Sequence, residues 1–167
     1  MLHGYGDTPT LASYGPAVLR LALAVVFIAH GGQKLFGWWG GPGLEGTAGF
    51  FAQMGLAPAY PLAVAVSTLE FAGGILLAFG AFTLPVSAAL TIDMLVAIWK
   101  VHLASGFFIN WNLVPVQGHG VEYNFLLIAA LVCLMLTGPG VFSIDGRRDS
   151  HARAAAAGRA RIRMGKV

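Results

Sequence analysis

Four apolar runs, each long enough to cross a bilayer as a helix, govern what this chain can become: 16–37, 59–81, 84–105 and 121–137. A crossing helix needs about 20 predominantly apolar residues. In hydrocarbon every backbone N–H and C=O must be satisfied within the protein, so such runs are helical. Only 10% of the residues are charged, against about 25% in a soluble domain. At 167 residues there is room for one membrane domain and little else. The expectation is an all-α integral membrane four-helix bundle spanning 16–145, preceded by an N-terminal segment 1–15 and followed by a tail 146–167.

Two connecting segments carry structure of their own. The stretch 38–58 is glycine-rich at its start and then reads Thr47-Ala-Gly-Phe-Phe-Ala-Gln-Met-Gly-Leu56. That run is too short to span and predicts an interfacial or re-entrant helix with Phe50, Phe51 and Met54 on its apolar side. The stretch 105–120 is rich in glycine, asparagine and aromatics. The first residues, Met-Leu-His-Gly-Tyr-Gly-Asp, lack the basic flank of a secretory signal, so the first run is expected as a retained helix. The single cysteine, Cys133, supplies no internal disulfide and no CxxC pair; it reads as a small buried hydrophobe.

Charge distribution sets the expected orientation. Seven of the ten Lys and Arg residues lie in the tail: Arg147, Arg148, Arg153, Arg159, Arg161, Arg163 and Lys166. Positive flanks stay inside, so the tail and, after four crossings, the N-terminus are expected to be cytoplasmic, with Arg20 snorkelling inward. Trp38, Trp39, Tyr60 and Trp111 would then mark the outer interface. The tail suits anionic lipid or a solvated stop-transfer flank, and it is too short to suggest nucleic-acid binding.

Within this frame the ionisable residues inside the runs stand out, because each costs about 2.5–3.5 kcal/mol at a helix centre on insertion scales. They are Lys34, Glu70, Asp93, Lys100 and Glu122. At about 1.5 Å rise per residue, His30 and Lys34 share one face in the outer half of the first helix. Glu70 and Asp93 fall near the middle of the second and third. Lys100 lies about two turns further out, His102 at the outer end, and Glu122 with Asn124 in the first turn of the fourth. All four helices contribute polar groups to the same half, which predicts a ligand-binding pocket of His30, Lys34, Glu70, Asp93, Lys100, His102 and Glu122. Lys34 and Lys100 would oppose the three carboxylates. Buried ion pairs can also fix helix register without any ligand, and Glu122 suits a helix N-terminus regardless.

Histidine and lysine beside carboxylates can hydrogen-bond a carbonyl or transfer protons, and Phe27, Phe36, Trp38 and Trp99 could stack on a planar ring. A quinone head group fits this description. Haem held by His30 and His102, or a metal on His30, His102 and Glu122, is the less favoured reading; no cofactor is fixed by the sequence, and no catalytic residue is named.

The run Arg20-Leu-Ala-Leu-Ala, continuing to His30-Gly-Gly-Gln-Lys34-Leu-Phe, resembles the first-helix signature of the DoxX family. So do Glu70-Phe-Ala-Gly73-Gly74, the Gly55-Leu-Ala-Pro58 stretch, the third helix through Lys100 and His102, and the ending Gly138-Pro-Gly140 with Ser143-Ile-Asp145. The resemblance covers about 16–145. It implies a multi-pass bacterial inner-membrane protein of four helices. Relatives include a subunit of a thiosulfate:quinone oxidoreductase and a mycobacterial member associated with superoxide dismutase and a rhodanese-like thiol protein. An accessory or quinone-interacting subunit in sulfur, thiol or oxidative-stress redox chemistry is therefore expected. The partners would be the lipid bilayer and redox proteins, with a homo-oligomer open. A non-enzymatic scaffold for soluble redox enzymes and a small anion or metabolite carrier are the alternatives.

Overall fold

The computed structural model describes residues 11–114, 118–151, 156 and 159. Among the described residues the α-helices are α1 (Leu11–Phe36), α2 (Gly43–Gln53), α3 (Ala59–Phe79), α4 (Thr83–Ala97) and α5 (Glu122–Thr137), and residues 144–151 are helical as well. α4 runs on through a π-helical turn, Ile98–His102, and a 3₁₀ turn, Leu103–Ser105. The fold is all-α, with no strand among the described residues. Residues 1–10 and most of the basic tail lie outside those described.

Among the described residues three helical stretches are long and apolar enough to cross a membrane: Leu11–Phe36, Ala59–Phe79 and Thr83–Ser105. The expected fourth crossing is a helix, but at 16 residues it rises only about 24 Å against a hydrocarbon core of about 30 Å. α1 also extends beyond its expected start, with Pro16 inside the helix rather than in its first turn. The residues ahead of Pro16 are held by the far end of the chain, where Val141 N–H donates to Ser13 O at 3.1 Å.

A shared core joins α1, α3, α4 and α5 through Leu23, Phe27, Leu77, Leu90, Leu131 and Leu134. The opposite faces are apolar as well: Val25, Ile92, Leu95, Leu126 and Leu136 are all exposed. Helices that are hydrophobic all round belong in the core of a large protein or in a membrane, and this small bundle leaves those faces uncovered. The same reasoning accounts for Cys133, which is exposed on α5 and not buried, because a lipid-facing surface accepts a small apolar thiol as readily as a core does.

α1 and α3 make backbone contact. A Cβ on Gly31 would lie 2.4 Å from Phe71 N, and one on Gly74 would lie 2.8 Å from Ile28 N. Small residues admit such close approach between membrane helices. α2 begins at Gly43, four residues before the expected start, and packs Ala48 and Phe51 against Ala63 of α3.

The turn between α3 and α4 is built to be short. Gly80 takes φ +61° and closes α3 as a Schellman cap, its N–H bonding Leu77 O while Ala81 N–H bonds Leu76 O. The N–H groups of Phe82 and Thr83 at the start of α4 are taken by the Asp145 carboxylate at 3.1 and 2.7 Å. That remote cap satisfies donors the helix itself cannot.

Arg20 does not snorkel. It is 1% exposed and donates to five backbone carbonyls: Leu77 and Ala78, Pro139, Val141 and Phe142. The guanidinium thus ties α1 to the last turn of α3 and to the segment after α5. Backbone oxygens freed at helix ends need donors, and one buried Arg supplies them here.

Candidate functional site

One cavity of about 710 Å³ opens between α1, α2, α3, the α4 continuation and α5. Its walls are apolar, formed by Phe27, Phe50, Phe51, Leu62, Val66, Met94 and Leu127 among others. Into it project His30, Lys34, Glu70, Asp93, Lys100 and His102, six of the seven residues singled out from the sequence. Glu122 is not among them. Its Oε2 accepts from Ile109 N–H at 3.0 Å, because the segment before α5 folds back on itself and leaves that donor at the mouth of the helix.

The cavity's polar floor is a cation beside two carboxyls. Lys34 Nζ meets Glu70 Oε1 at 2.5 Å, the only ion pair among the described residues. Glu70 is buried and the Asp93 carboxyl lies within hydrogen-bonding reach of it. The close glycine-mediated contact of α1 with α3 puts Lys34 opposite Glu70, and α4 brings Asp93 from the other side.

Lys100 does not oppose a carboxylate. Its Nζ sits 4.2 Å from the centroid of the Trp99 ring, a cation–π contact. The π-helical turn accommodates an extra residue and sets Lys100, Val101 and His102 together along the cavity wall. π turns are frequent at functional sites. His102 Nδ1 donates to His119 O at 2.8 Å, so Nδ1 carries the hydrogen and Nε2 remains a free acceptor in the neutral ring. His30 leans on Tyr123, their ring centroids 6.2 Å apart. Among the described residues no set of three His, Cys, Asp or Glu side chains converges as a metal site; His30, His102 and Glu122 are not brought together as one.

Of the four aromatics singled out for stacking, Phe27 alone lines the cavity. Phe36 and Trp38 pack with Phe71 outside the cavity, Trp38 filling the space over Gly32, and Trp99 is exposed. Phe50 and Phe51 of α2 supply the aromatic wall instead. Thr47, which lines the cavity beside them, donates to Gly43 O at 2.8 Å. His119, Tyr123 and Asn124 also line the cavity. Asn124 was visible as a polar residue in an apolar run; His119 lies in a glycine-flanked loop where no periodicity places a side chain.

The sequence profile of the DoxX family matches residues 15–103. The chain is 30% identical over 131 residues to "Putative oxidoreductase CatD" of Bacillus subtilis, covering 78% of this chain and 84% of that protein. It is 28% identical over 135 residues to "Inner membrane protein YqjF" of Escherichia coli, covering 81% and 92% respectively. No solved structure matches.

Proposed function

Since the chain belongs to the DoxX family of membrane proteins, we propose that it serves a membrane redox system as a quinone-binding accessory subunit. The observation that carries this reading is the 710 Å³ apolar cavity with the Lys34–Glu70 pair at its floor. Ligand sites combine apolar walls with a few placed polar groups, typically in volumes of about 300–1,000 Å³. A quinone ring would lie between Phe27, Phe50 and Phe51. Lys34 uses one of its three N–H groups on Glu70 and has others for a ring carbonyl. His30 and Lys100 would stand along the wall. Reduction of a quinone to a quinol takes two electrons and two protons; the electrons would come from a partner redox protein, and this chain would hold and orient the head group.

The relative named an oxidoreductase supports a redox role. The basic tail supports a cytoplasmic C-terminus. With α5 as a fourth crossing, the N-terminus would be cytoplasmic too, the domain would run over 16–145, and the cavity would open toward the outer half of a bacterial inner membrane. The test is equilibrium binding of a short-chain quinone to the protein in lipid nanodiscs. Lys34→Ala should weaken binding about 10- to 100-fold, the worth of a hydrogen bond from a charged donor. Equal affinity in the two proteins would end this reading.

A further inference from the structure

Glu70 is 2% exposed, with Oε1 held by Lys34. Its other oxygen, Oε2, is buried without a hydrogen-bond partner, and so is Oδ2 of Asp93. Both residues line the cavity, and the two carboxyls lie within hydrogen-bonding reach of each other. Buried acceptors left without donors are costly, and two ionised carboxylates at that separation in an apolar site repel strongly. A hydrogen bond between two carboxyl groups requires a proton on one of them.

The surrounding charges are consistent with one such proton. α1 presents Lys34 and His30, the α4 continuation presents Lys100 and His102, α5 presents Tyr123, and the preceding loop presents His119. Lys100 is engaged by Trp99 and His102 by the His119 carbonyl. Among the described residues Lys34 is the one cation in an ion pair with either carboxyl. A single shared proton balances the trio and gives the orphaned oxygens a donor.

We propose that Glu70 and Asp93 share one proton at the floor of the cavity and that this pair is the group with which a bound carbonyl ligand exchanges a proton. The exchange role rests on the quinone-site reading above; the shared proton does not. When a partner redox protein delivers two electrons to a bound quinone, one ring oxygen of the reduced quinone would take that proton and the other a proton from solvent; the pair is left doubly ionised with Lys34 opposite, and a further solvent proton restores it.

The experiment is infrared spectroscopy of the wild-type protein in nanodiscs at neutral pH without ligand. The expected result is a carboxylic-acid C=O band, shifted in D2O and absent from both Glu70→Gln and Asp93→Asn. A wild-type protein with no such band overturns the proposal without recourse to any variant, as does a band that persists in both variants. Adding a short-chain quinone and reducing it with dithionite should then shift or remove the band. Quinone that binds and is reduced while the band stays unmoved overturns the exchange role while the cavity reading stands. Quinone that does not bind removes the cavity reading and the exchange role together, and the band of the ligand-free protein alone decides the shared proton.

Discussion

Lys34 and Glu70 meet at 2.5 Å across the α1–α3 contact, 36 residues apart in the chain. The pair faces a cavity and not lipid, so it joins the packing of the two helices to the chemistry of the site. Breaking such a pair by removing one partner costs about 3–5 kcal/mol, whereas replacing both with apolar residues of similar size is often neutral or stabilising. Lys34→Ala should therefore lower the unfolding temperature clearly. The double variant Lys34→Met with Glu70→Met should recover most of that loss while leaving quinone affinity abolished. Recovery of both would mean that the pair has no part in ligand binding.

The glycine contact that brings the pair together is open to a direct check. A Cβ at Gly31 would lie 2.4 Å from Phe71 N, while one at Gly15 would meet nothing within 4 Å. Overpacking typically costs about 1–3 kcal/mol, and the backbone of Phe71 cannot step aside as a flexible side chain would. Gly31→Ala should fall in or above that range and weaken quinone binding by moving Lys34. Gly15→Ala, also in α1, should be neutral or stabilising by up to about 1 kcal/mol. Thermal unfolding of the two variants side by side is the measurement.

Arg20 carries the opposite end of the molecule. Its five bonds reach carbonyls in the last turn of α3 and in the post-α5 segment, and lysine has three donors on a single nitrogen. Arg20→Lys should lose about 3 kcal/mol or more, since bonds from a charged donor are worth about 1.5–3 kcal/mol each. Quinone affinity of the folded fraction should be unchanged, because Arg20 does not line the cavity. Denaturant titration and ligand binding on the same sample separate the two effects.

Asp145 gives the fold a pH dependence of known sign. Burial alone would raise its pKa. The N–H groups of Thr83 and Phe82 and the charge of Arg148 outweigh this and hold the carboxyl below its ordinary value. A depressed carboxylate stabilises the fold above its unfolded pKa, about 3.9 for Asp, and that contribution fades as pH falls through the lower, folded value. Wild-type unfolding temperature should drop below about pH 4. Asp145→Asn should be less stable than wild type at neutral pH and should lose part of that acid dependence. Parallel slopes for the two proteins would remove Asp145 as the cause.

The sequence carried the helices and most of the cavity because both depend on side-chain type. Apolar runs announce membrane helices, and the rarity of charge within them made Lys34, Glu70, Asp93 and Lys100 conspicuous. Reading depth along each helix was enough to assign His30, Lys34, Glu70 and Asp93 to a polar cluster in one half of the membrane. What stayed hidden depends on backbone groups, which a residue list does not show. Arg20 reads as an interfacial cation until the carbonyls of Leu77 and Pro139 are in place. Glu122 reads as a cavity acid until Ile109 N–H claims it. Lys100 reads as a partner for carboxylates until the π-helical turn leaves it over Trp99. The aromatic wall came from α2 through Phe50 and Phe51, since a short helix laid against α3 reaches the cavity more directly than residues at the helix ends.

The central claim is that a quinone occupies this cavity, and photoaffinity labelling tests it most directly. Wild-type protein in nanodiscs would be irradiated with an azido-quinone, with and without excess unlabelled short-chain quinone, and the modified peptides identified by mass spectrometry. The account expects saturable labelling, at most one adduct per chain, on cavity residues such as Phe50, Phe51, Met94 and Tyr123, suppressed by competitor and by Lys34→Ala. Labelling confined to exposed residues such as Leu95, Leu126 and Leu136, unaffected by competitor, would contradict it.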